Sequence, residues 1–166
     1  MNKDLKLNIG ITLWTLTSKE IRRFMRIWVQ TLVPPAVTMT LYFVIFGSLI
    51  GPRIGEMDGF DYVQFMIPGL IMMSVITGSY ANVVSSFYSV KFQKSIEELL
   101  ISPMPNWVIL CGFILGGVTR GILVGIIVFC VSLFFYPEFQ IVNIGLTITV
   151  LLLTSVLFSL MGFINA

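Results

Sequence analysis

The sequence has no histidine, and Asp, Glu, Lys and Arg together make up only 11% of its 166 residues. The missing histidine removes the commonest metal ligand and the commonest general base near neutral pH. The scarcity of charge excludes an ordinary soluble domain, which carries about 25% charged residues. Cysteine is scarce too. Cys111 and Cys130 both fall inside one apolar run, away from any loop, so they read as small packing residues rather than as a disulfide. No zinc, haem or iron–sulfur spacing exists, and no cofactor is expected. A Gly-x-x-x-x-Gly-Lys-Ser/Thr loop is also missing, so this chain is not expected to bind or hydrolyse ATP itself. Residues 1–10 lack the pattern of a signal peptide.

What is present is apolar: 57% of the residues are hydrophobic and the mean hydropathy is +0.97. Four long runs cover residues 27–50, 62–90, 107–136 and 141–166, and Arg120 is the one basic residue inside them. Each exceeds the roughly 20 residues a helix needs to cross the hydrocarbon core. None shows the two-residue alternation of a membrane strand. The expected fold is all-α and polytopic. An interfacial amphipathic helix over 5–26 precedes about four transmembrane helices, and residues 1–166 make a single membrane domain.

Charge in the connections orients the spans. Lys3, Lys6, Lys19, Arg22, Arg23 and Arg26 precede the first run, and Lys91 and Lys94 follow the second. The 51–61 connection holds Arg53 alone among bases, beside Glu56, Asp58 and Asp61. Basic residues mark the cytoplasmic side, which places the N-terminus and 91–106 in the cytoplasm and 51–61 outside. Trp28, Tyr62, Trp107 and Tyr136 stand at run ends, where an aromatic belt belongs. The net charge is only +2, and no nucleic-acid partner is expected.

On a helix, Leu13, Trp14, Leu16, Ile21, Phe24, Met25, Ile27 and Trp28 share one half, and Lys19, Arg22, Arg23 and Arg26 the other. Glu20 alone breaks the apolar arc. Such a helix lies in the interface with its bases toward lipid phosphates or the cytoplasm. It serves either as an anchor or as a sliding helix that meets a cytoplasmic partner. Residues 91–106 carry a second pattern. Phe92, Ile96, Leu99 and Leu100 fall on one helical face, with Lys91, Lys94, Glu97 and Glu98 around it. Ser102-Pro103 then reads as a cap followed by a proline in the first turn. A bare connector needs only about 2–8 residues, so this structured one suggests docking.

The spans also hold polar and small residues. Pro34, Pro35, Pro68 and Gly69 predict kinks, which are either hinges or bends whose backbone bonds neighbouring helices restore. Ser74, Gly78, Asn82, Ser85 and Ser89 recur at steps of three or four, a stripe for helix packing or a transport path. Gly112, Gly116, Gly117, Gly121 and Gly125 predict close helix contact in the third span. Arg120 lies among them. A guanidinium at that depth must snorkel, pair with an acid or bind carbonyls.

Together, Glu20-Ile21-Arg22-Arg23-Phe24-Met25-Arg26, Leu32-Val33-Pro34-Pro35, Phe46-Gly47, Ile67-Pro68-Gly69-Leu70 and Ile96-Glu97-Glu98-Leu99-Leu100-Ile101-Ser102-Pro103 resemble the N-terminal portion of a type-2 ABC transporter permease, and the YadH-like bacterial inner-membrane permeases in particular. The resemblance implies about six spans, and a coupling helix between spans two and three that corresponds to 91–100. It also implies a separate ABC ATPase subunit and a second permease chain forming a homodimer. Only four spans are present, so a truncated permease is expected. The function implied is that of the membrane subunit of an ATP-driven exporter. A four-span membrane scaffold or assembly factor is the alternative. An intramembrane enzyme is disfavoured because no span offers a nucleophile with its base. A channel is disfavoured because no filter-like segment occurs.

Overall fold

A computed structural model describes residues 8–57, 60–102, 104–137 and 143–166. Lipid offers no hydrogen bond to a peptide group, so each apolar segment closes its own backbone bonds as a helix. Helix α1 covers Ile9–Arg26. Helix α2, Trp28–Tyr42, continues through a π-helical stretch, Phe43–Ile50, into the short α3, Gly51–Ile54. Gly55 leaves α3 at φ +76°, a conformation that glycine adopts without strain. A minimal antiparallel pair follows, β1 (Glu56–Met57) and β2 (Phe60–Asp61), with Glu56 opposite Asp61 and Met57 opposite Phe60. Then come α4 (Tyr62–Phe92), α5 (Ser95–Ile101), α6 (Asn106–Phe135) and α7 (Ile144–Asn165).

Among the described residues, four helical stretches are long and apolar enough to cross a membrane: Trp28–Ile54, Tyr62–Phe92, Asn106–Phe135 and Ile144–Asn165. The protein is an all-α polytopic membrane protein. Large side chains such as Val33, Val37, Leu41, Leu146 and Leu153 point outward from the helices. That arrangement suits hydrocarbon and would be an aggregating surface in water.

Helix α6 is the centre of the bundle, packed by α1, α2, α4 and α7. Two apolar clusters hold it. One joins Met39, Phe43, Ile67, Leu70, Val124 and Val128 near the hairpin end. The other joins Val83, Phe87, Ile109 and Phe113 near the α1 end, where Phe163 of α7 lies against Phe87 with ring centroids 4.1 Å apart.

Helices α4 and α6 have 31 and 30 residues, or about 45 Å each at a rise of about 1.5 Å per residue. The hydrocarbon core is only about 30 Å thick, so both helices overhang it. Counted from Tyr62, about 30 Å of α4 ends near Asn82. On that count the overhang lies at the α1 end, where α1 flanks α6 with Leu16 against Gly112 and Glu20 against Gly116.

Two local expectations change. The proposed single helix over 91–100 is broken: α4 runs on through Phe92, Lys94 takes φ 58°, and α5 starts afresh at Ser95. Ser102 does not start a helix. Ser102 closes α5 with extended ψ 142°, and α6 begins at Asn106 behind Pro105. An extended conformation is what a residue before proline adopts. Pro103 itself lies outside the described residues, as do Lys3, Lys6, Asp58 and the segment 138–142.

Candidate functional site

The buried stripe of α1 is Leu16, Thr17, Glu20 and Phe24. The apolar half expected from the sequence is only partly the buried one: Trp14 is 72% exposed, and Met25 also faces outward. Glu20, the odd residue of that half, is the one the fold buries most purposefully. It is 2% exposed and fits over Gly116, where a Cβ would lie 2.6 Å from its own Cβ.

A buried carboxylate needs partners, and Glu20 has two. Ser86 Oγ donates to Glu20 Oε2 at 2.5 Å, and Arg23 Nε donates to the same oxygen at 3.3 Å. Arg23 then donates through Nη2 to both the backbone oxygen and Oδ1 of Asn82, each at 3.1 Å. Four side chains from α1 and α4 thus form one polar layer at the edge of the overhang. Lys19, Arg22 and Arg26 stay exposed on the outer side of α1.

Arg120 completes this layer from α6. Its Nη2 donates to the carbonyl oxygen of Thr31 at 3.5 Å. Its charge and that of Arg23 are near enough to act on each other. Of the three ways out for a guanidinium inside an apolar run, it takes the carbonyl, and the acid goes to Arg23. Pro35 is half-buried and Pro34 faces outward, while Pro68 and Gly69 face outward near the hairpin end of α4.

At the α1 end, α5 is rooted by two residues. Ile96 and Leu99 pack against the Val83–Phe87–Ile109–Phe113 cluster. Glu97, Glu98, Lys91 and Lys94 are exposed. Phe92, Leu100 and Ile101 are also exposed, Ile101 by 84%, and the Tyr88 and Phe92 rings lie side by side with centroids 6.2 Å apart. The face expected to be one apolar stripe is therefore split. Half holds the helix to the bundle, and half is left outward.

A family model for the ABC-2 type transporter matches residues 12–166. The chain belongs to the ABC-2 type transporter family. Proteins called "Inner membrane transport permease YadH" from Escherichia coli strain K12, E. coli O157:H7 and Shigella flexneri are 61% identical to it over 155 residues, 93% of this chain. The chain spans 60% of the length of these relatives. No solved structure matches it significantly.

In this ABC-2 chain the small-residue seam holds the spans together. Ser74, Gly78 and Asn82 are buried as the stripe requires, but Ser85 is exposed and Ser89 half-exposed. The stripe continues through Ser86 instead, which meets Glu20 of α1. Ser79 also belongs to the seam and bonds Ser155 of α7, Oγ to Oγ at 2.7 Å. Opposite them, Gly117, Gly121 and Gly125 of α6 leave no room. A Cβ at Gly117 would meet Val83 Cγ2 and Ser159 Oγ at 2.6 Å each, and one at Gly125 would meet Val75 Cγ2 at 2.6 Å.

Sequence reasoning passed over Ser79, Ser86, Ser155 and Thr31. The seven-residue step from Ser79 to Ser86 was a usable signal. Thr31 had none, since its role rests on its carbonyl.

Proposed function

We propose that this chain is the permease subunit of an ATP-driven exporter in a bacterial inner membrane, and that α5 is where a separate ABC ATPase docks. The outward half of α5 carries this reading. Leu100 and Ile101 are exposed apolar residues of α5 beside the exposed Glu97 and Glu98, and Phe92 is exposed at the end of α4. Seven residues are too few to cross a bilayer. A short helix that shows apolar anchors with acids around them suits insertion into a protein groove.

The mechanism follows from how α5 is rooted. A push on its outer face passes through Ile96 and Leu99 to Phe87 on α4 and Phe113 on α6. Those two helices carry the glycine–serine seam, so movement of the ATPase reaches the packing of the spans. The basic asymmetry supports a cytoplasmic position for this end. A second copy of the chain would complete the path, as the family resemblance implies. The relatives bear the name of inner membrane transport permeases, which supports the location and the transport role.

Ile101→Asp and Glu98→Lys alter the outward half alone, and both should abolish capture of the ATPase while membrane yield stays normal. Leu99→Asp is the poorer probe, because Leu99 packs on the core. ATPase pull-down beside membrane yield measures the effect. Wild-type capture by both outward variants would leave α5 a plain surface connector.

A further inference from the structure

We infer that the outer face of α1 is a binding site for the phosphate of an anionic phospholipid. Trp14, Thr15, Ser18, Lys19, Arg22, Arg23 and Arg26 line a cleft of about 650 Å³ there. Four of these residues are cationic, and no carboxylate joins them. The one acid of α1 among the described residues, Glu20, is turned into the bundle and already engaged by Ser86 and Arg23. Lys19, Arg22 and Arg26 are left without an acidic partner, since Arg23–Glu20 is the salt bridge found among the described residues. Among the described residues, no carboxylate pairs with Lys19, Arg22 or Arg26, and the cleft is a concentrated positive surface.

Its depth selects the ligand. The exposed apolar residues Met25, Ile27, Trp28 and Val29 flank Arg26 in the chain. Those side chains need hydrocarbon, while the guanidinium groups need an anion or water. Both needs are met at one level of a bilayer, where phosphates sit above acyl chains. Trp14, 72% exposed at the other end of the cleft, suits the same headgroup level. The overhang of α4 and α6 leads to the same level, because about 30 Å of α4 counted from Tyr62 ends at Asn82, the partner of Arg23. Arg23 thus joins the headgroup site to the polar layer. A bound phosphate at this face would fix the angle of α1 against α6.

The test uses the whole chain in nanodiscs of phosphatidylcholine with and without phosphatidylglycerol, followed by mild extraction and native mass spectrometry. The wild type should keep phosphatidylglycerol selectively. Lys19→Gln, Arg22→Gln and Arg26→Gln combined should weaken that retention by about a hundredfold, at about fivefold for each basic residue. Arg23 is left intact, so the buried layer stays. The charge-preserving set Lys19→Arg, Arg22→Lys and Arg26→Lys should retain the lipid, which separates loss of charge from loss of fold. Equal retention by the neutral and wild-type chains overturns the site. So does equal retention of phosphatidylcholine and phosphatidylglycerol by the wild type. Displacement of the lipid by millimolar inorganic phosphate would make free phosphate the ligand and overturn the lipid assignment.

Discussion

The carbonyl oxygen of Thr31 lies 3.5 Å from Nη2 of Arg120, and Pro35 is the reason that oxygen is open to it. In a helix the N–H of residue 35 would donate to residue 31, but proline has no N–H. Arg120 occupies the position of the missing donor from the neighbouring helix. The proline in span one and the arginine in span three therefore belong together. The arrangement favours the restored backbone bond over the free hinge at Pro35.

Arg120→Gln should cost about 1–3 kcal/mol of stability, because the Thr31 oxygen and the space around it lose their charged donor. In a Pro35→Ala chain the new N–H serves Thr31, and the same substitution should cost about 1 kcal/mol less. Unfolding of the four chains in mixed detergent micelles measures the coupling. An Arg120→Gln cost that is equal in both backgrounds separates the two residues.

Gly121→Ala should loosen the contact between α4, α6 and α7. Its Cβ would clash with Ser79 Oγ, at a cost of about 1–3 kcal/mol. Removing that oxygen with Ser79→Ala should recover part of the loss, although the Ser79–Ser155 bond goes with it. Gly69→Ala meets nothing within 4 Å and should be neutral or mildly stabilising. Thermal denaturation in detergent ranks these variants. A Gly69→Ala loss as large as that of Gly121→Ala would contradict the seam.

Glu20→Ala should cost about 1–3 kcal/mol, since Ser86 and Arg23 are left without their acceptor. Arg23 is partly exposed, so the ion-pair share is reduced by solvent. Glu20→Gln keeps an oxygen for Ser86 and should lose less. Adding Ser86→Ala to Glu20→Ala should change little further. Fully additive losses in that pair would show that the bond carries no stability.

Lys19 and Lys94 should be reached from one side of the membrane and Arg53 from the other. Helices α1 and α5 both pack at the start of α6, with Leu16 against Gly112 and Ile96 near Ile109. Arg53 lies in α3, before the hairpin. Single cysteines at these positions, in a Cys111→Ser, Cys130→Ser background, report the sides through an impermeant thiol reagent. Labelling of Arg53→Cys from outside intact cells, with Lys19→Cys and Lys94→Cys protected, is expected. The opposite pattern reverses the topology.

The four spans were legible because hydrocarbon acts on each residue additively, and 20 apolar residues in a row have few other places to be. The break before α5 was harder to see. Phe92 and Ile96 are four apart and look like one face, and nothing in the local pattern says that Lys94 takes a left-handed backbone. The anchoring of Ile96 and Leu99 in the Phe87 cluster decides where the short helix must restart. The same holds for Ser85 and Ser86. Both fit a polar stripe, and only the arrival of Glu20 on one side picks Ser86.

By itself the sequence determined the number of crossings, the basic and acidic ends, and the close approach of helices at Gly112, Gly116, Gly117, Gly121 and Gly125. These follow from solvent transfer and side-chain size, which each residue carries with it wherever it is placed. Tertiary structure decided which gap each polar group fills. Glu20 lies over Gly116 and Arg120 reaches Thr31 because residues 96 and 89 positions apart in the chain meet there. An acid in an apolar arc and a charge in a span look like faults until their partners arrive. Hydrogen bonds are satisfied by neighbours in space, and only the packed bundle says who those neighbours are.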